Sequence, residues 1–298
     1  MKIFGAGLAG LLAGCHFQRA TIYEAGDSDT VNHKAVLRFR TSAVGDSVGI
    51  DFRKVRVYKN IWDGKPVAPS IQYANWYSQK VIGKLADRSI WSLEAVDRFI
   101  APDDFIGQLA ERCADRIVWN HKVTGEDIAK AKASTEQIIS TLPMSLMTRF
   151  TGKPQTQEFK SEKITVKRWR IPNADVFQTV YFPSLETSLY RASITGDLLI
   201  AEYADEADDY DFFPAFGISA SSCEPIEKVS QRFGKIAPID DVWRKQFIYD
   251  LTTTYGIYSL GRFGTWRNLL LDDVLKDIYV LKKLMKGSAY ERSKINVA

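Results

Sequence analysis

Apolar positions in the first 150 residues fall into short runs separated by turn residues, and each run carries a strand or a helix period. Ile3 and Phe4 end a short apolar run, after which Leu8, Leu11, Leu12 and Cys15 recur at the i, i+3, i+4, i+7 spacing of a helix face. Ala20-Thr21-Ile22-Tyr23 is β-branched and aromatic, which predicts a second strand. Behind Pro102 and Asp103, the residues Phe105, Ile106, Leu109, Ala110 and Cys113 repeat the helical spacing. Residues 116–123 read as a strand, 126–133 as a helix, and 137–141 as a strand stopped by Leu142-Pro143. Helices alternating with strands predict an α/β architecture.

The pattern changes after position 150. Short β-like runs at 164–166, 176–182, 189–195 and 198–203 are separated by Pro, Asn and Gly, which predicts an antiparallel sheet. Tyr255–Leu260 reads as a strand, and a helix follows from about Asp272 to Met285 with Val274, Leu275, Ile278, Leu281, Leu284 and Met285 on one face. Residues 55–95 are dense in Tyr and Trp, a composition of core or of a slot for a flat ligand. The chain thus divides into a discontinuous first domain (1–60, 96–150 and 250–290) and an inserted second domain (61–95 and 151–249). Residues 291–298 are expected to form a flexible tail.

A length of 298 residues suits two ordinary domains, and 45% hydrophobic with 26% charged residues excludes a disordered chain, a collagen-like fibre and a small disulfide scaffold. A net charge of +4 permits nucleic acid as a partner without demanding it. Cys15, Cys113 and Cys223 are odd in number and in no metal-type spacing, so a reducing compartment, the cytoplasm, is expected. With only His16, His33 and His121 besides, no metal site is expected. No apolar run reaches the roughly 18 residues of a membrane span, and no membrane partner is expected. Lys2 followed by uncharged residues to Leu12-Ala13-Gly14-Cys15 is similar to a short lipoprotein signal. One lysine is a thin charged region, however, and a folding motif accounts for the same stretch better.

That motif is Gly5-Ala6-Gly7-Leu8-Ala9-Gly10, a G-x-G-x-x-G between the first strand and the first helix. Gly5 permits the tight turn, Gly7 lets the backbone approach a pyrophosphate, and Gly10 lets helix pack on strand. The helix start adds unpaired N–H groups and a positive dipole end. Glu24 ends the second strand, where a carboxylate accepts hydrogen bonds from both ribose hydroxyls. An acid there disfavours a 2′-phosphate, so FAD or NAD is expected over NADP. Near the other end, a strand runs into Gly261-Arg262-Phe263-Gly264 before a helix, a second turn able to receive an anion.

Further charges allow two readings each. Lys34, Arg38 and Arg40 could neutralise a pyrophosphate or a substrate anion, or lie on a solvated face. Lys160, Lys163, Lys167, Arg168 and Arg170 surround Trp169, a patch suited to a phosphate-rich ligand, although a solvated strand face is the commoner origin of such runs. Residues 202–211 carry six acids in ten and read as an exposed loop.

The motifs in this order resemble the FAD-dependent flavoproteins that include amine oxidases, protoporphyrinogen oxidase and UDP-galactopyranose mutase. The resemblance implies a Rossmann-type FAD-binding domain with an inserted, mainly antiparallel β-sheet substrate domain. It carries over FAD contacts onto Gly5, Gly7, Leu8, Ala9, Gly10 and Glu24, onto Val123 for the adenine, and onto Thr141 in Ser140-Thr141-Leu142-Pro143. Gly261, Arg262 and Phe263 would approach the pyrophosphate and ribityl chain. The family's Gly-Gly-Arg after the ribose acid is replaced by Glu24-Ala25-Gly26-Asp27-Ser28, which leaves Arg38 as the following arginine. No flavin-attachment motif is present, so the FAD is expected to be non-covalent.

Amine oxidases of this kind take a hydride from a carbon beside nitrogen and pass electrons to oxygen. The resemblance makes Tyr181, Tyr190, Arg191 and Tyr258 candidate neighbours of flavin or an amine-bearing substrate, with core packing the competing role of each tyrosine. In its brevity the chain is also similar to bacteriophage FAD-dependent oxidases that trim a glycinyl adduct on hypermodified thymine. That would make modified DNA a partner facing 160–170, in the host cytoplasm. The alternatives are a UDP-galactopyranose mutase-like flavoenzyme and a non-catalytic FAD- or NAD-binding protein.

Overall fold

The structure, a computed structural model, describes residues 1–28, 37–85 and 90–295; His33 and Lys34 lie outside the described residues. The chain alternates between two compact units, unit 1 being Met1–Arg53, Phe99–Phe159 and Pro238–Ala298, and unit 2 being Lys54–Arg98 and Lys160–Ala237. The first segment holds β1 (Lys2–Phe4), α1 (Leu8–His16), β2 (Thr21–Tyr23), β3 (Arg38–Phe39) and α2 (Ala43–Val48). Then come β4 (Arg53–Trp62), β5 (Pro66–Val67), α3 (Ile71–Ile82) and β6 (Val96–Ile100). The middle of the chain holds α4 (Phe105–Glu111), β7 (Ile117–Val118), α5 (Gly125–Lys132), β8 (Ile138–Ser140) and α6 (Met144–Phe150). Five strands follow: β9 (Ser161–Arg170), β10 (Val176–Tyr181), β11 (Leu189–Gly196), β12 (Leu198–Ala204) and β13 (Glu224–Ile236). The last elements are α7 (Asp241–Tyr255), β14 (Ile257–Ser259), the single turn α8 (Gly261–Gly264) and α9 (Leu271–Ile295).

Unit 1 is built on a sheet in the order β14-β8-β1-β2-β7, parallel at every pairing. Counted in chain order these strands read 3-2-1-4-5 from the β7 edge, the Rossmann arrangement. Its topological switch point falls between β1 and β8, paired through Ile3↔Ile139. Ile3, Leu11, Leu12, Ile22, Leu109, Ile139 and Ile278 are fully or almost fully buried in one core. Each such side chain stabilises the unit by roughly 1.5–3 kcal/mol relative to exposure, so strands of three residues suffice when their central residue is sealed on both sides. β3 pairs antiparallel with the end of β6. No described helix is long and apolar enough to cross a membrane.

Unit 2 contains the strands β13-β9-β12-β11-β10-β4-β6 in that order, with β5 on β4. Pairings from β13 to β10 are antiparallel, and β10 pairs with β4 in parallel. Period-2 alternation gives the sheet two apolar faces. Val180, Phe182, Leu189, Ala192, Ile194 and Leu199 pack with Phe212 in one cluster, whereas Ile61, Tyr181 and Tyr190 pack with Tyr77 and Val81 of α3 in another. The α/β class, with a Rossmann-type sheet and a mainly antiparallel one, is as the sequence predicts.

Several elements differ from the sequence reading. The strand expected over 116–123 stops at Val118, because Asn120 turns into the left-handed region at φ 55° and its N–H bonds to Gly26 O. Tyr255 closes α7 rather than opening a strand; Gly256 caps that helix at φ 66°, and β14 starts only at Ile257. β13 and α7 have weak periodicity in the sequence and no counterpart in its reading. α9 continues past Met285 through Ile295, into the stretch expected as a tail.

Candidate functional site

The carboxyl ends of β1, β8 and β14 bring the two glycine turns together in unit 1. Gly5 leaves β1 at φ +94°, where L side chains are rarely found, and a Cβ on it would lie 2.4 Å from Thr141 Oγ1. Thr141 donates that hydroxyl to Phe4 O at 2.8 Å, and Gly5 N–H donates to Tyr23 O at 2.8 Å. The turn is therefore pinned between β2 and the end of β8. A Cβ at Gly10 would come within 1.8 Å of Gly5 O, so α1 rests directly on the turn. Gly7 differs from both, since a Cβ on it would meet nothing within 4 Å.

Gly7 is also the N-cap of α1, which has no side-chain cap and no acidic residue in its first turn. Its first N–H groups and positive dipole end are thereby left for an anion. Leu8 and Ala9 supply the next two residues of that turn. The other glycine turn lies against it: Gly261 has φ +79°, and a Cβ there would be 2.8 Å from Ala9 Cβ. Leu260 N–H bonds to Ser140 O at 2.9 Å, and a Cβ at Gly264 would lie 2.8 Å from that same oxygen. Ser140 Oγ is buried with no hydrogen-bond partner among the described residues. Arg262 is half-buried, its guanidinium 5.6 Å from the ring centre of Phe263.

Glu24 stands at the end of β2 and reaches across the glycine turn. Its Oε2 accepts from Ala6 N–H at 2.6 Å and its Oε1 from Gly26 N–H at 3.0 Å. Each carboxylate oxygen retains a lone pair for a further donor. Val123 is buried just before α5, where Thr124 N–H donates to Asp127 at 2.8 Å. Arg38 lies on β3, held in place through its neighbours: Asp272 accepts from Arg40 N–H at 3.2 Å and Thr41 N–H at 3.4 Å. The Arg40 guanidinium is bound to Asp273 at 3.1 Å, so it is not an open anion receptor. Asp272 is the positioning residue that sequence reasoning missed; the only signal was its place at a helix start.

The remaining candidates are placed by the cores of their units. Tyr258 belongs to the buried cluster of unit 1, and Tyr181 and Tyr190 to a cluster of unit 2 around Tyr77. Burial pushes the Tyr190 phenol well above its ordinary pKa, and its hydroxyl bonds to Glu202 at 3.1 Å. Arg191 is clamped on the same Glu202 through two nitrogens. Along β9, Lys163 pairs with Glu206, Arg168 with Glu227 and Arg170 with Asp197, and Lys167 donates to Asp208 O. Trp169 packs edge-on against Phe212 and Phe213. From the acid-rich 202–211 segment, Glu206 pairs with Lys163 and Asp209 stands 4.0 Å from Lys167, while Asp205, Glu206, Asp209 and Asp211 are exposed as expected. Glu227 and Asp197 lie outside that segment.

In unit 1 the geometry can accept a diphosphate at Gly7 and a diol at Glu24, on one edge of one sheet. No protein-family model matches the chain, and no curated protein matches it. Solved structures do. One is reduced UDP-galactopyranose mutase, at 15% identity and a TM-score of 0.57, covering 89% of each chain. Another is a protein from Pyrococcus furiosus, at 12% identity and a TM-score of 0.53, covering 78% of this chain and 88% of the other. At these identities the likeness is one of fold.

Proposed function

We propose that the chain binds FAD non-covalently along the carboxyl edge of the unit 1 sheet and is a flavoenzyme that oxidises a C–N bond of an amine. The observation that carries the cofactor reading is the meeting of the two glycine turns, filled at Gly5, Gly10 and Gly261 but open at Gly7. Gly7 is the N-cap of α1, so the open position lies in front of that helix's first N–H groups. Glu24 would hold the adenosine ribose, Val123 would border the adenine, and Gly261-Arg262-Phe263 would meet the pyrophosphate and ribityl side. Bound FAD would supply the hydride acceptor that amine oxidation requires. The protein's part is to orient, to neutralise phosphate charge at α1, and to exclude water.

The amine reading rests on the family resemblance, and an amino-acid adduct such as the glycinyl group of hypermodified thymine is the substrate class we assign. Because the β9 cations are matched by carboxylates, the modified nucleoside is the better first substrate than duplex DNA. A second reading, a mutase-type flavoenzyme without net redox, draws on the 89% mutual coverage with the mutase structure.

The deciding experiment is an absorption spectrum of the purified protein, before and after anaerobic addition of the amine-bearing nucleoside. Oxidised-flavin bands that bleach on addition, with hydrogen peroxide released on readmitting air, support the oxidase. Conversion of a nucleotide sugar only after prior reduction, without peroxide, supports the mutase instead. A colourless protein that takes up no added FAD overturns both.

A further inference from the structure

Two cysteines that are far apart in the sequence meet in unit 1. Cys15 lies in the last turn of α1 and Cys113 just beyond α4, with their sulfurs 3.8 Å apart. Gly14 makes this approach possible, since a Cβ on it would lie 2.9 Å from Cys113 Sγ. Cys113 is fully buried, whereas Cys15 is partly exposed and lines a cavity of about 470 Å³ with Gln18, Ser47, Arg112 and Arg116. Arg116 is fixed there by donating to Gly14 O at 3.1 Å and Ala20 O at 3.3 Å. The sulfur contact and then the Arg116 guanidinium favour one thiolate in the pair, whose remaining proton is shared across the 3.8 Å gap.

Two sulfurs that share one proton, one facing a cavity walled by Arg112, Arg116 and Asp115 and the other buried behind it, are the arrangement of an attacking and a resolving sulfur. We infer that Cys15 and Cys113 are a hydroperoxide-reactive dithiol that closes to an intramolecular disulfide. A hydroperoxide entering the cavity meets Cys15, and with the shared proton on Cys113 the Cys15 thiolate attacks the O–O bond. That bond breaks, the leaving hydroxide takes up a proton to become water, and Cys15 becomes a sulfenic acid. The Cys113 sulfur then attacks Cys15, the S–O bond breaks, and the second oxygen leaves as water. Two thiols lose two electrons and hydrogen peroxide is reduced to two waters. The sulfurs need to close from 3.8 Å to about 2.05 Å. The bridge ties the end of the glycine-turn helix to α4, and it requires no bound cofactor.

The test uses the full reduced chain, treated with hydrogen peroxide and then denatured for thiol counting and peptide mapping. Of the three free thiols, two are expected to disappear, with a mass loss of two hydrogens and a linked peptide pair containing Cys15 and Cys113. Cys223→Ser is expected to form the same link and to leave no titratable thiol. In Cys113→Ser the Cys15 sulfenic acid is expected to persist and to be trapped by a sulfenic-acid reagent. If Cys113→Ser does not fold, the wild-type and Cys223→Ser maps decide alone. Three thiols surviving the treatment, a link through Cys223, or Cys15 oxidised to sulfinic acid with Cys113 still a thiol would each overturn the inference.

Discussion

Alanine at Gly7 and alanine at Gly10 separate a glycine kept for a ligand from a glycine kept for the fold. At Gly10 the new methyl would lie 1.8 Å from Gly5 O, and contacts under 3.0 Å essentially do not occur, so about 1.2 Å of movement is required. The carbonyl has little freedom to move, because Gly5 N–H is bonded to Tyr23 O and Phe4 O is bonded to Thr141. α1 must therefore shift. Overpacking costs about 1–3 kcal/mol, here at the upper end because backbone is struck, and the better helix propensity of alanine returns at most about 1 kcal/mol. A net loss of about 2 kcal/mol lowers the Tm of the cofactor-free protein by roughly 4–8 °C for a unit of this size. At Gly7 the methyl meets nothing within 4 Å and φ is −68°, which any L residue adopts. Cofactor-free Gly7→Ala should therefore unfold within about 1 kcal/mol of the wild type. It fills the space in front of the first N–H groups of α1, and its FAD dissociation constant should rise at least ~10-fold, about 1.4 kcal/mol. Thermal unfolding of the stripped protein and titration by flavin fluorescence quenching give the two numbers. Gly7→Ala that binds FAD like the wild type, or that loses as much stability as Gly10→Ala, would refute the assignment of Gly7 to a bound diphosphate.

Glu24→Gln keeps the size of the side chain but removes the negative acceptor, so FAD affinity should fall on the order of 10-fold, measured by the same titration. His16 is held at a pKa of about 4 by burial and then by Lys282, whose ammonium donates to Nδ1 at 3.3 Å, with Ser47 on Nε2 at 3.2 Å. The folded state resists a proton that the unfolded chain accepts, so this contribution is complete above about pH 6.5 and is lost as the pH falls towards 4. The loss is about 3 kcal/mol at most. Urea midpoints should drop between pH 7 and 4.5 by clearly more in the wild type than in His16→Phe, and equal drops would contradict the account. Burial lowers the pKa of Lys80 to about 8, and its ammonium donates to Phe182 O at 2.8 Å and Leu189 O at 2.9 Å. Lys80→Met leaves two carbonyls without that donor and should destabilise unit 2 by about 2–4 kcal/mol, read as a lower urea midpoint.

What the sequence determined by itself is local and repeats at short range. G-x-G-x-x-G between an apolar run and a 3.6-period run can fold in few ways, and Glu24 follows from it because a strand of given length ends where its apolar residues end. The same logic made β8 legible from 137–141, stopped by Pro143, and β10 to β12 from their turn residues. Elements whose burial depends on distant partners were not legible. In α7 only Phe247 and Leu251 are buried, and in β13 Glu227 is paired across the sheet with Arg168. A period cannot be read where long-range pairing supplies the stabilisation. The same reason governs the site. The contact of Gly261 with Ala9, the grip of Asp272 on Arg40 and Thr41, the pairing of Lys163 with Glu206, and the meeting of Cys15 with Cys113 each join residues remote in the chain. Parallel strands meet only after a crossover, so which turns share an edge is decided by strand order, and strand order is a property of the packed sheet.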